Sequence, residues 1–179
     1  PQQISAVTAG EAPMTICLVV EFSNRFQSYY SYTWFQTLSA VYGFVQTLKP
    51  EDYLAVIAYD LRTEILSDFT NDRQQTAEAL QRLRIAGFSE SNMFDALVDT
   101  ARRMQDIEGR KAILLVSSGI DTFSKLTYDK TRKALQDYGV PVYSLGLMQA
   151  LREVADARGG MDAISRMDFL QAEIGRAHV

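Results

Sequence analysis

The sequence predicts an α/β domain built on a mostly parallel sheet with one antiparallel edge strand. Three observations carry that expectation. Thr15-Ile-Cys-Leu-Val-Val20 is an unbroken apolar or β-branched run, the pattern of a strand covered on both faces at the centre of a parallel sheet. Asp52 to Tyr59 and Ala112 to Val116 repeat the pattern, with stretches of helical spacing between the three. Asp60-Leu61-Arg62 is too short for a crossover, so Thr63 to Leu66 must return antiparallel as a hairpin.

In chain order, residues 1–14 read as a lead-in punctuated by Gly10, Glu11 and Pro13. After the first strand, Phe22 to Tyr32 form a loop. Thr33 then opens a helix as N-cap, with Gln36 three residues on as a capping box. Trp34, Phe35, Leu38, Val41, Tyr42, Val45 and Leu48 give that helix its buried stripe. Asp68-Phe-Thr-Asn-Asp72 is expected to open the next helix, running to about Arg84. Gly87 to Ser91 is a polar loop, and a helix follows from Asn92 to about Gln105. Beyond the strand ending at Val116, a helix from Tyr128 to Tyr138 stops at Gly139. Val140 to Leu147 is the next strand, its Pro141 pointing to a place near the sheet edge. Helical pieces at about 150–157 and 161–172 complete the pattern.

Composition bounds the function. The 179 residues suit one domain, and 47% hydrophobic with 22% charged residues is ordinary for a globular chain. A net charge of −4 without a basic run argues against nucleic acid as partner. No apolar run approaches the roughly 20 residues that span a bilayer. A single cysteine, Cys17, excludes an internal disulfide or cysteine-rich zinc site and reads as a small buried hydrophobe. The chain starts at Pro1, so any leader or upstream domain is out of view. Ile174-Gly-Arg-Ala-His-Val179 is what a common sequencing-library adapter encodes when translated. We therefore expect residues 173–179 to be read-through and the natural sequence to end near Gln171 to Glu173. His178 is the one histidine, so a Ser/His/Asp or Cys/His catalytic set is not expected.

The first strand stops abruptly on Glu21-Phe-Ser23-Asn-Arg25. Open α/β sheets place their ligand crevice at the carboxyl ends of the strands, so this boundary is where function is sought. Four phrases in this order, Ala12-Pro-Met-Thr-Ile16, Asp68-Phe-Thr70, Phe94-Asp-Ala96 and Ser117-Ser-Gly-Ile-Asp121, resemble a von Willebrand factor type A domain. More closely, the chain looks like the bacterial von Willebrand factor A-related domains described from acidobacteria. The resemblance runs from about Gln2 to Gln171, with 15–172 as the domain. It implies a doubly wound, Rossmann-like sheet of order 3-2-1-4-5-6 with helices on both faces, here without its final edge strand.

The resemblance also implies a metal-ion-dependent adhesion site for Mg²⁺ or Mn²⁺, whose oxygen ligands suit a hard cation. In the family it comprises Asp-x-Ser-x-Ser, a Thr and a further Asp. Glu21 stands for the first Asp, Ser23 keeps the first Ser, and Arg25 replaces the second. Ser91 stands for the Thr, and Ser118 occupies the place of the last Asp. One carboxylate is lost and a permanent cation gained. Two unit charges about 4 Å apart interact by roughly 4 kcal/mol at an effective dielectric of 20, so the exchange weakens the site by several kcal/mol. The expectation is a degenerate site without a cofactor, with Arg25 pairing with Glu21 as an internal cation or pointing to solvent. Asp121 either restores charge there or caps the loop.

Tyr29, Tyr30 and Tyr32 are candidate partner contacts on the rim, whereas Trp34 and Phe35 belong to the core stripe. Asp60 and Asp68 read as turn and cap residues, and Asp95 as favouring the helix dipole. The expected function is noncatalytic, adhesion-type binding of an unidentified protein ligand, independent of metal, in an exported protein. The alternatives are a Mg²⁺-dependent ligand-binding domain with a modified site, or a hydrolytic enzyme such as a phosphatase. The second lacks a paired acid and a phosphate clamp, and no nucleotide-binding glycine motif is present.

Overall fold

A computed structural model describes residues 12–23, 31–83 and 90–146, with the backbone alone at 31–37 and 146. Its elements in order are β1 (Met14–Glu21), α1 (Ser31–Thr47), β2 (Tyr53–Tyr59), β3 (Thr63–Thr70), α2 (Arg73–Gln81), α3 (Met93–Met104), β4 (Arg110–Ser117), α4 (Tyr128–Tyr138) and β5 (Val142–Gly146). The strands form one five-stranded sheet of order β3-β2-β1-β4-β5. β1 is parallel to both β2 and β4, β4 is parallel to β5, and β3 alone is antiparallel.

The unbroken apolar run of β1 is explained by the two layers that cover it. With period two, Ile16, Leu18 and Val20 face one core with Leu54, Val56 and Ala58, closed by Val41 and Val45 of α1 and Ala79 and Leu80 of α2. Cys17 and Val19 face the other with Ala55, Ile57 and Tyr59, closed by Met93, Leu97, Ala101 and Met104 of α3. Burial pushes the Cys17 thiol up to about 12, so it acts as a small apolar side chain. Among the described residues no helix is long and apolar enough to cross a membrane.

Several boundaries depart from expectation. β3 continues to Thr70 instead of stopping at Leu66, so Asp68-Phe-Thr70 is strand and opens no helix. An edge strand tolerates charges along its open side, and Glu64 and Asp68 are exposed there. α1 begins at Ser31, two residues before Thr33, so Thr33 is not its N-cap. β5 starts at Val142 and not at Val140, because Pro141 precedes its ladder and contributes its carbonyl to Ile113 N–H at 2.8 Å. Asp52 lies outside β2, and its carboxylate takes the N–H groups of Met14 and Lys49. The helix expected to reach about Arg84 ends earlier, at Gln81, with Arg82 as its C-cap. The helical pieces at 150–157 and 161–172 lie outside the described residues, as do Arg25, Tyr29 and Tyr30.

α2 is fastened at Asp72, whose carboxylate accepts Gln74 N–H at 2.8 Å and Gln75 N–H at 3.2 Å. These donors have no partner within the helix. Asp72→Ala is expected to cost about 1 kcal/mol, read as a lower urea midpoint at unchanged slope.

Candidate functional site

The order β3-β2-β1-β4-β5 means that the chain leaves β1 in one direction and later resumes beside it at β4. The topological switch point therefore falls between the carboxyl ends of β1 and β4, where this architecture opens its crevice. Parallel pairing carries β1 and β4 together as far as Val20 and Val116. The next residues, Glu21 and Ser117, thus meet at the end of the ladder. On the other side Glu21 is in register with Tyr59 of β2.

Glu21 is 2% exposed and its side chain turns into the protein. Oε2 accepts three hydrogen bonds: from Ser117 Oγ at 2.9 Å, Ser118 N–H at 2.7 Å and Ser118 Oγ at 2.6 Å. Oε1 accepts one from Ser23 Oγ at 3.0 Å. The Tyr59 hydroxyl donates to Ser117 Oγ at 2.8 Å, so a directed chain runs from Tyr59 through Ser117 to the carboxylate. Gly119, with φ of 78°, turns the backbone so that its own N–H reaches Ser117 Oγ and that of Ile120 reaches Ser118 Oγ. A side chain at that φ is strained, which is why glycine serves there.

Burial raises the Glu21 pKa, and its serine donors pull the other way without cancelling the rise. Burial first, and the Glu21 charge second, push Tyr59 well above its ordinary value, so it remains a donor.

Of the residues singled out in the sequence, Glu21, Ser23 and Ser118 come together. Ser91 is buried nearby. Its Oγ is close enough to the Tyr59 hydroxyl to favour that group's ionised form, yet it makes no hydrogen bond of normal geometry. Asp121 lies close enough for its charge to raise the Tyr59 pKa, but its hydrogen bonds go to other groups. It accepts Ser124 Oγ at 2.6 Å and Phe94 N–H at 3.3 Å, tying the β4–α4 loop to the start of α3. Burial raises its pKa too, against the hydrogen bonds from Ser124 and Phe94. Asp95 does more than complement the helix dipole, since its carboxylate takes the N–H groups of Lys125 and Leu126. The side chain of Tyr32 lies outside the described part.

Two members of the cluster escaped the sequence reading, Tyr59 and Ser117. The signal for both was a hydroxyl closing an otherwise apolar strand.

A divalent cation needs several oxygen lone pairs turned toward it and enough negative charge to offset its dehydration. This cluster offers one carboxylate. Its Oε2 is enclosed by three donors, one of them a backbone N–H that cannot turn away. No group of three His, Cys, Asp or Glu side chains able to hold a metal occurs among the described residues. Among the described residues the donor set does not fit such an ion, and Ser91 Oγ is one of several buried oxygens without a hydrogen-bond partner.

The family model for the von Willebrand factor type A domain matches residues 16–168. Similar solved structures include the three N-terminal domains of the type V pilus tip protein Mfa5 from Porphyromonas gingivalis. The identity is 19% over 65% of this chain and 22% of that one, with TM-score 0.55. The conserved hypothetical protein BatB from Bacteroides thetaiotaomicron is 17% identical over 74% of this chain and 66% of its own, with TM-score 0.59. Manganese-loaded Plasmodium vivax TRAP protein is 16% identical over 80% of this chain and 63% of its own, with TM-score 0.61. At these identities the likeness is one of fold, and the chain spans only part of each structure's length. No curated protein matches the chain in sequence.

Proposed function

The chain belongs to the von Willebrand factor type A domain family, and on that premise we propose that it is a noncatalytic protein-interaction module that binds its partner without a bridging divalent cation. The observation carrying this reading is the Glu21 carboxylate, already satisfied by four donors of the chain itself. An ion bridging to a partner's carboxylate would have to break these bonds and would find one negative charge in the cluster where two are wanted. Arg25, outside the described residues, is proposed as an additional internal cation facing Glu21.

The partner is assigned to the rim of loops at the carboxyl ends of the strands. Phe123 is 56% exposed there, on a loop pinned to Ser91 O by the N–H groups of Thr122 and Phe123. An aromatic side chain on a backbone already held makes a good anchor, because the loop loses little entropy on binding. Tyr29, Tyr30 and Tyr32 belong to the same proposal. The pilus-tip relative supports a place at the cell surface or envelope. A phosphatase-like activity finds little support, since the single carboxylate of the cluster is engaged by its donors.

The second reading, Mg²⁺-dependent binding, is favoured by the unpartnered Ser91 Oγ and by the manganese-loaded state of the TRAP relative. Isothermal titration of Mg²⁺ and Mn²⁺ into the protein separates the two. The metal-independent reading predicts no saturable heat. Saturable binding at millimolar affinity or tighter would overturn it and make Glu21, Ser23 and Ser91 ligands.

A further inference from the structure

We infer that Glu21 and Ser118 form a clasp that locks the carboxyl end of β1 to that of β4, holding by hydrogen bonds the junction where a bound ion would otherwise sit. The inference rests on the metal-independent reading above. Its basis is position. The β1–β4 ladder ends at Val20 and Val116, and the clasp begins one residue later, so the Glu21 side chain continues the pairing that the backbone has given up. Ser118 supplies two of the three donors on Oε2, its N–H at 2.7 Å and its Oγ at 2.6 Å.

From there the constraint spreads into the rim. Ser118 Oγ takes Ile120 N–H at 3.0 Å, and Ser117 Oγ takes Gly119 N–H at 2.9 Å. Through Ser117 the Tyr59 hydroxyl brings in the end of β2. With Ser118 0% and Glu21 2% exposed, water is not at hand to replace a lost bond.

The clasp depends on side-chain length more than on charge. Aspartate is shorter by one C–C bond, about 1.5 Å. From 21 it would leave the Ser118 donors beyond the roughly 3.2 Å reach of a hydrogen bond. Glutamine has the full length. Its carbonyl oxygen can take the three donors now on Oε2, while its NH₂ donates to Ser23 Oγ, whose hydroxyl turns to accept. A residue kept for its charge, as a cation ligand or counter-ion, requires the opposite order, with aspartate the better substitute.

The test compares the protein with its Glu21→Gln and Glu21→Asp variants by thermal unfolding and by amide exchange at Ser118, Gly119 and Ile120, each with and without excess Mg²⁺. The clasp predicts that Gln keeps the protection of these amides within about threefold and that Asp loses it by tenfold or more. Protection retained in Asp and lost in Gln, or retained in both, would overturn it. Should the Asp variant fail to fold, Ser118→Ala serves instead. It keeps the N–H and drops the Oγ bonds, and exchange at Ile120 should quicken at least fivefold; unchanged exchange there would overturn the clasp. A Mg²⁺-induced rise in the melting temperature of the unaltered protein would overturn the metal-independent reading, whereas the order of the variants judges the clasp itself.

Discussion

Glu21→Ala is expected to lower stability by about 3 kcal/mol. Truncation removes the acceptor of four hydrogen bonds. The three hydroxyls can rotate toward other oxygens, but Ser118 N–H is fixed and left buried without a partner, at roughly 1–3 kcal/mol. The space vacated by the carboxyethyl group adds a cavity term of similar size. For a chain of this length the sum corresponds to a fall in melting temperature of roughly 6–12 °C. Calorimetry showing a change within a degree would mean that the hydrogen bonds at the switch point contribute nothing net.

The same residue sets a pH dependence whose sign follows from its raised pKa. Between the ordinary carboxyl value, 4.5, and the higher folded value, the native state holds a proton that the unfolded chain has released. In that window stability falls as pH rises. Glu21→Gln cannot titrate, so its melting temperature should gain on that of the unaltered protein as pH is raised through the window. The Ala loss, by contrast, persists on both sides of it.

Leu18→Ala is expected to cost about 3–4 kcal/mol, within the usual range for a buried leucine truncated to alanine. Leu18 is 0% exposed on the central strand, beside Val56 of β2 and Leu114 of β4 and beneath the helices of the first core. The sheet above it is hydrogen-bonded on both sides, so the site cannot collapse to fill the hole. Ile65, on edge strand β3 and 39% exposed, provides the control: Ile65→Ala should cost about 1 kcal/mol or less, because much of its surface already meets water. Equal losses at the two positions in denaturant unfolding would contradict the two-core description.

How far the sequence revealed this fold depended on how much each side chain had to do with local backbone. The unalternating run Thr15–Val20 announced a strand buried on both faces, and Cys17 and Leu18 indeed point to opposite cores. α4 runs from Tyr128 to Tyr138 as its pattern indicated, because Gly139 with φ of 62° gives it a definite stop. β3 was misjudged because Asp68 and Asp72 look alike in sequence. Asp72 caps α2, whereas Asp68 sits on the outer edge of the sheet, and only the position of that strand in the sheet tells them apart.

The candidate site was legible in its members more than in its arrangement. Glu21, Ser23 and Ser118 were identified from the strand ends and the family pattern. The inward turn of Glu21 was not, since it depends on the β1–β4 register and on one extra methylene. Asp121 belongs to the start of α3 because Ser124 and Phe94 N–H draw it there, contacts that appear only once the loop is folded.

The most direct test of the central claim is carbon NMR of glutamate-labelled protein, following the Glu21 carboxyl resonance as paramagnetic Mn²⁺ is added. A carboxylate held by Ser23, Ser117 and Ser118 predicts a signal that does not broaden while exposed carboxylates begin to. Selective broadening of Glu21 ahead of them would place the ion on that carboxylate and contradict the account.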